Sequence, residues 1–331
     1  MTLEIVDPAL DPAPAGWGEL VEGRPATWDY GLLRAFARGA QAPLRVAVVR
    51  REGRPVAMLS ASLRGFPPRR GRYVGFAAPP RALGLLDVHA PGSRSQKGWW
   101  YEPGDGGMDA LRTAVRGLRR SLGPGWRGVV WREVTPGERL PSRSWLSRPT
   151  SPLATLHTPW DDLAGWYATL PPGRAGTLRS QARRLAADKG LAVAAGGAAG
   201  LVTPAEAAEL KARNDLKHRG RLLPAAPLPL PYVAGLVGHD HVKAITYRAD
   251  GRLIGLCLIL DHAEWPIFHS WGALPVEAGG RRHLYFDAYV RMIGWAIAGG
   301  KKGLILGKGQ PAIKQELGAE LVPSHVALAA A

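Results

Sequence analysis

The chain has 331 residues, 46% of them hydrophobic and 21% charged, which is the size of two domains and the composition of an ordinary globular protein. No apolar run approaches the roughly 20 residues that span a bilayer, the start Met1-Thr2-Leu3-Glu4-Ile5-Val6-Asp7 lacks the basic and apolar regions of a signal peptide, and the single Cys257 excludes an internal disulfide, so a cytoplasmic protein is expected. A formal net charge of +16 attracts polyanions, nucleic acid foremost, although codon usage that favours Arg over Lys produces the same surplus without a partner.

Residues 1–27 are rich in Pro, Gly and Ala and read as an irregular lead-in with a short strand at Leu3–Val6. Trp28, Leu32, Leu33 and Phe36 fall at helical spacing and predict a helix over Trp28–Gly39. Two strand-like runs, Leu44–Arg50 and Pro55–Leu63, flank Arg51-Glu52-Gly53-Arg54 as a hairpin. Further strands are expected at Gly71–Ala77 and Leu83–Val88. Trp99-Trp100-Tyr101 is an aromatic run on a loop, where it packs between the domains or stacks on a ligand or base. Met108–Leu122 is an amphipathic helix with Leu111, Val115, Leu118 and Leu122 on one face. A strand at Gly128–Glu133 follows. The Pro/Ser/Arg-rich stretch Val134–Thr150 is the expected domain boundary, giving domains 1–148 and 149–331.

The second half begins with a strand at Leu153–Leu156, a helix at Asp161–Leu170, and an arginine-rich helix at Pro171–Gly190. A strand at Leu191–Ala195 precedes Thr203-Pro204-Ala205-Glu206, which has the cap residue, first-turn proline and Glu of a strong helix start. This helix and a short one at Tyr232–Val237 form an inserted helical pair spanning about 203–237. Three strands, His241–Arg248, Leu253–Asp261 and Pro266–Ala273, then form an antiparallel meander. Cys257 lies within the second as a small hydrophobe. A helix at Leu284–Ala298 closes on Gly299-Gly300, and the chain ends with strand Gly303–Leu306, helix Ala312–Leu317 and strand Leu321–Leu328.

The order meander, helix, strand, helix, strand resembles the core of the GNAT acyltransferase fold. A more specific resemblance, over roughly Trp160–Ser324, is to the FemABX-like family. It rests on the basic helix carrying Arg174, Arg179, Arg183 and Arg184, on Asn214-Asp215-Leu216-Lys217-His218-Arg219, and on Lys314-Gln315-Glu316-Leu317-Gly318. The last segment matches Lys-x-x-Phe-Gly with Leu317 in place of Phe. The resemblance implies an α/β (α+β) chain of two GNAT-like domains in tandem, each a mixed, mostly antiparallel twisted sheet flanked by helices. It also implies transfer of an amino acid from aminoacyl-tRNA to an amine acceptor: a cell-wall precursor, a peptide or a secondary metabolite. Lys314 would then stabilise the oxyanion of the tetrahedral intermediate. Arg174, Arg179, Arg183, Lys217, His218 and Arg219 are candidate phosphate contacts, and no cofactor is required.

Acetyl-CoA-dependent GNAT proteins instead resemble one another in an Arg/Gln-x-x-Gly-x-Gly/Ala loop after the meander, whose backbone N–H groups hold the pyrophosphate. The corresponding Pro275-Val276-Glu277-Ala278-Gly279-Gly280-Arg281-Arg282-His283 lacks that spacing. Gly279, Gly280, Arg281 and Arg282 are therefore anion-binding candidates only under an alternative acetyl-CoA reading. A non-catalytic binding protein is the third reading. For a general base the meander offers His269, Asp261 and Glu264, with His269 preferred. Trp271 and Tyr285 are candidate substrate contacts, with Asp287 beside them. His239-Asp240-His241 is a poor metal site, so no metal is expected, and neither a phosphate loop nor a Gly-x-Ser-x-Gly elbow occurs.

Overall fold

A computed structural model describes residues 1–40, 42–65, 83–93, 95–104, 106–217 and 228–330, with the backbone alone at 214–217. The elements, in order, are β1 (Thr2–Val6), α1 (Trp17–Val21), α2 (Tyr30–Gly39), β2 (Leu44–Arg51), β3 (Arg54–Gly65), β4 (Gly84–Val88), β5 (Trp99–Tyr101), α3 (Gly107–Leu122), β6 (Trp126–Val134) and β7 (Ser144–Pro149). They continue with β8 (Leu153–His157), α4 (Leu163–Thr169), α5 (Arg174–Ala186), β9 (Leu191–Gly197), α6 (Pro204–Lys217), α7 (Leu230–Val237), β10 (Val242–Ala249), β11 (Arg252–Leu260) and β12 (Ile267–Ala273). The last are α8 (Leu284–Ala298), β13 (Gly303–Gly307), α9 (Pro311–Glu316), β14 (Glu320–Val322) and β15 (His325–Ala330). The expected strand at Gly71–Ala77 falls outside the described residues.

The chain divides into two compact units, one of Met1–Ser151 together with Pro323 onward, the other of Pro152–Val322. The first unit carries a sheet ordered β1-β2-β3-β4-β6-β15-β7, with β5 also pairing β3. Its strands are antiparallel except β4 and β6, which run parallel in register from Gly84–Trp126 to Val88–Trp131. Helix α3 lays Ala110, Leu111, Ala114, Val115 and Leu118 into a core with Leu59, Leu86, Trp126 and Trp131. The aromatic run expected on a loop is strand β5 instead. Trp99 is buried edge-on against Trp131, so packing decides its conformation.

The second unit's sheet is ordered β14-β8-β13-β12-β11-β10-β9. Strand β11 is buried from Leu253 to Leu260, as a central strand covered on both faces must be. Helix α8 supplies one cover, with Leu284 against Gly255, and α6 packs against β11 and β12. The start of α6 is a reciprocal capping box: Thr203 N–H donates to Glu206 Oε2 (2.9 Å) and Glu206 N–H to Thr203 Oγ1 (3.2 Å). Helices α6 and α7 lie between β9 and β10 in the chain.

The expected final strand Leu321–Leu328 is corrected to two strands in different sheets. Glu320–Val322 pairs with β8 in the second unit, whereas His325–Ala330 lies between β6 and β7 in the first. Pro323 interrupts the run because it cannot donate to a ladder, and the chain crosses over there. The expected second domain, 149–331, therefore gives up its last strand to the first.

Candidate active site

Strands β12 and β13 run parallel but share a single register pair, Ile267 opposite Ile305, with Ile305 N–H donating to Pro266 O (2.9 Å). Beyond that pair they diverge: β12 continues to Ala273, while β13 ends at Gly307, whose φ of 76° turns the chain away. Helix α9 begins four residues later and brings Lys314 back onto the strand it follows. Lys314 Nζ donates to Leu306 O (2.6 Å) and Gly307 O (3.0 Å), and the residue is only 2% exposed. Burial pulls its pKa down to about 8. An ammonium has three donors, and the third has no partner among the described residues.

The rest of the motif is explained by how α9 ends. Gly318 N–H donates to Gln315 O and Ala319 N–H to Lys314 O, the paired bonds of a Schellman cap, and Gly318 takes the required positive φ of 89°. Leu317 is fully buried, and its carbonyl accepts from Trp166 Nε1 (3.1 Å) on α4. An apolar residue followed by glycine is what this turn needs, so Leu serves where the family has Phe.

The ladder between β11 and β12 slips by one residue, with Phe268 opposite Ile259 and Ser270 opposite Leu258, leaving His269 as the extra residue of a bulge. His269 is half-buried. Burial, helped by the Lys211 ammonium on α6, lowers its pKa to about 4, so the imidazole is neutral at physiological pH. On the α8 side Phe268 and Trp271 meet Tyr285 at 6.5 and 5.6 Å between ring centres, and Trp271 also meets Tyr247 at 6.1 Å. Tyr285 and Tyr289 share a hydroxyl–hydroxyl bond of 3.1 Å. Asp287, nearly fully buried, accepts from Tyr247 Oη (2.8 Å) and Arg291 Nε (2.6 Å). Burial and this carboxylate hold the Tyr247 phenol far above its ordinary pKa, and burial raises those of Tyr285 and Tyr289. Trp271 and Tyr285 are thus brought together. Lys314 and His269 share no contact among the described residues. Tyr247, Phe268 and Arg291 were not singled out by sequence, although Asp287 and Arg291 stand at the i,i+4 spacing that marks a helical ion pair.

The arginine helix is divided in its uses. Arg174 is largely buried, with its guanidinium carbon 4.6 Å from the Phe286 ring and Nη2 3.5 Å from Glu316 Oε2 on α9. Its Nε and Nη2 are buried without a hydrogen-bond acceptor among the described residues. Arg179 and Arg183 are exposed, Arg179 lying over the Tyr167 ring at 4.5 Å. Lys217 ends α6, and His218 and Arg219 fall outside the described residues. In the loop before α8, Ala278 and Gly280 N–H both donate to Pro275 O, and Gly279 N–H to Val276 O. Arg281 is turned onto Asp188 (2.8 Å) and onto the loop's own carbonyls, while Arg282 is exposed. These amides and Arg281 are already engaged. His239 Nδ1 accepts from His241 N–H (3.2 Å), a turn contact, and no group of three or more His, Cys, Asp or Glu side chains is placed to hold a metal among the described residues.

No family model matches the chain, and no curated protein matches it in sequence. Solved structures do. One is the C-terminal domain of a protein assigned as a lysylphosphatidylglycerol synthetase from Agrobacterium fabrum, 14% identical, with a TM-score of 0.58 over 94% of this chain and 90% of that one. Another is FemX, 10% identical, with a TM-score of 0.52 over 86% and 87%. A third is a conserved protein of unknown function from Bacteroides thetaiotaomicron, 10% identical, with a TM-score of 0.54 over 91% and 90%. The chain shares the fold of these structures, FemX among them: two units, each a mixed, mostly antiparallel sheet flanked by helices. No described helix is long and apolar enough to cross a membrane.

Proposed function

We propose that the chain is an acyltransferase that moves an amino acid from aminoacyl-tRNA to an amine acceptor, forming an amide. The observation that carries the proposal is Lys314, a buried lysine held at the end of β13, where the sheet opens, with one N–H uncommitted. Attack of a neutral amine on the ester carbonyl forms the C–N bond and places negative charge on the carbonyl oxygen. A fixed ammonium donor aimed at that oxygen contributes about 3 kcal/mol to the transition state. Collapse breaks the ester C–O bond and releases the tRNA hydroxyl. The amine's proton passes to His269, whose neutral imidazole can accept it, and from there to the departing ribose oxygen, which leaves as the hydroxyl. Arg174, whose buried Nε has no acceptor among the described residues and whose Nη2 is ion-paired with Glu316 of the Lys314 helix, would take a phosphate or carboxylate of either substrate, and Arg179 and Arg183 would meet tRNA phosphates. The aromatic surface of Trp271 and Tyr285 would receive the acceptor.

The alternative donor, acetyl-CoA, is disfavoured by a loop whose amides at 278–280 bond internally and whose Arg281 is paired with Asp188. Incubation with a labelled aminoacyl-tRNA pool and an amine acceptor should give transfer that ribonuclease abolishes and that Lys314→Ala reduces at least a hundredfold. Micromolar acetyl-CoA binding by calorimetry, without ribonuclease-sensitive transfer, would replace this reading with the CoA-dependent one. Which amino acid and which acceptor are used would follow from the products.

A further inference from the structure

Strand β7 ends the first unit's sheet, so among the described residues one of its edges has no neighbouring strand, and all six of its residues, Ser144–Pro149, are exposed. Its pairing with β15 slips between Leu328, opposite Leu146, and Ala329, opposite Ser144. Trp145 is the extra residue of this bulge and has no register partner on β15. The side chain is 69% exposed and stacks on no other ring among the described residues.

The surroundings of Trp145 are one-signed. Arg139, Arg143 and Arg148 are exposed and make no ion pair among the described residues, and no acidic residue occurs from Arg139 to Thr150. Glu138, just before, is spent on Lys97 at 2.7 and 2.8 Å. An unstacked indole among unneutralised guanidinium groups fits a partner that offers flat π-faces joined by anions. We propose that β7 is a platform for unpaired RNA, with Trp145 stacking on a base and Arg139, Arg143 and Arg148 contacting the flanking phosphates. Three like charges on each copy oppose edge-to-edge pairing of two chains. A membrane surface fits less well, because Leu146 follows Trp145 on an edge strand whose outer backbone groups would have to be dehydrated.

The inference leans on the proposed function only for the source of the RNA, a charged tRNA. The test is fluorescence anisotropy of the full chain with a labelled single-stranded RNA of about 12 nucleotides, at several salt concentrations. Trp145→Ala should weaken binding about tenfold and Trp145→Phe much less, since stacking survives in Phe. Arg143→Ala and Arg148→Ala should each lower the slope of log affinity against log salt by about one. Lys314→Ala should leave RNA binding unchanged. The proposal is overturned if Trp145→Ala binds as tightly as wild type while the arginine variants weaken, which is non-specific attraction by a chain at +16. It is equally overturned if Trp145→Ala instead abolishes binding to anionic lipid vesicles, or converts a dimer to a monomer, with RNA affinity unaltered. Trp145-dependent RNA binding without transfer from aminoacyl-tRNA would reject the proposed function and keep this site. Transfer with an unchanged KM for tRNA in Trp145→Ala would do the reverse.

Discussion

Raising the pH should drive stability and transfer in opposite directions through Lys314. In the fold its pKa stands at about 8, against 10.5 for an ordinary lysine, because burial disfavours the ammonium. Below pH 8 both folded and unfolded chains carry the proton, and the full cost of burying the charge, about 3 kcal/mol at most, is present. Between about 8 and 10.5 the unfolded chain binds more protons, so stability rises with pH until that cost is removed. Transfer, if it uses the ammonium as oxyanion donor, must fall across the same lower limit. Lys314→Met provides the reference. It leaves the carbonyls of Leu306 and Gly307 unpaired, about 1–3 kcal/mol each, but that penalty does not vary with pH. Urea unfolding of both proteins from about pH 7 to 10.5 should show wild type gaining relative to Lys314→Met. Transfer would be followed with hydroxylamine as acceptor, which is already unprotonated at neutral pH, so that the acceptor does not titrate. Parallel stability curves would refute the buried-ammonium argument. A rate that climbs through pH 8 would make the neutral amine of Lys314 a base and end its role as oxyanion donor.

His269, neutral above about pH 4, should give kcat/KM an acid limb near 4 rather than near the ordinary 6.5, and His269→Gln should remove that limb and lower the rate by about 10²–10⁴. A limb that persists in His269→Gln belongs to another group. Asp287→Ala leaves the Tyr247 hydroxyl and Arg291 without their shared acceptor inside the aromatic cluster, and should cost about 2–4 kcal/mol by urea titration, with Tyr247→Phe costing about 1. Asp87→Asn in the first unit weakens pairs to Arg132 (2.5 Å) and Arg64 (3.3 Å) and should lower stability by about 2–4 kcal/mol while leaving kcat for transfer unchanged. A large loss of kcat there would move chemistry into the first unit.

Legibility in the sequence followed the range of the interactions involved. The capping box at Thr203–Glu206, the hairpin turning at Glu52-Gly53 and the stop at Gly299-Gly300 are local, and each lies where its residues indicate. The meander and the helix after it followed from alternation and period. Lys314 was found through a five-residue match, yet its burial and its bonds to β13 depend on how α9 packs, which no short window contains. The bulge at His269 was invisible for a related reason. Phe268-His269-Ser270-Trp271 reads as four residues of an ordinary strand, and only the register against β11 reveals that one is extra. Trp145 was passed over in the same way, inside a stretch whose Pro, Ser and Arg content suggested a linker. The final strand misled because alternation continues through Pro323, and nothing in the alternation says which sheet a strand will join.

The two units follow related plans and differ at the place where chemistry would occur. Each has a parallel pair reached through a helix, β4 with β6 across α3 and β12 with β13 across α8. In the first unit that pair is zipped over five positions. Asp87, buried near the end of β4, draws Arg64 from β3 and Arg132 from β6 onto one carboxylate, so three adjacent strands are tied where a gap would have to open. Removing one partner would strand a charge in a buried setting, which makes separation of β4 from β6 costly. In the second unit β12 and β13 share one register pair, with the Lys302–Glu264 ion pair (2.5 Å) and backbone bonds to Glu264 O just ahead of it; beyond Ile305 no ion pair crosses between the two strands among the described residues, and Lys314 bonds the carbonyls of its own strand. Under the proposed function, a reacting group entering beyond Ile305 would break neither a ladder nor an ion pair, whereas the first sheet would have to break both.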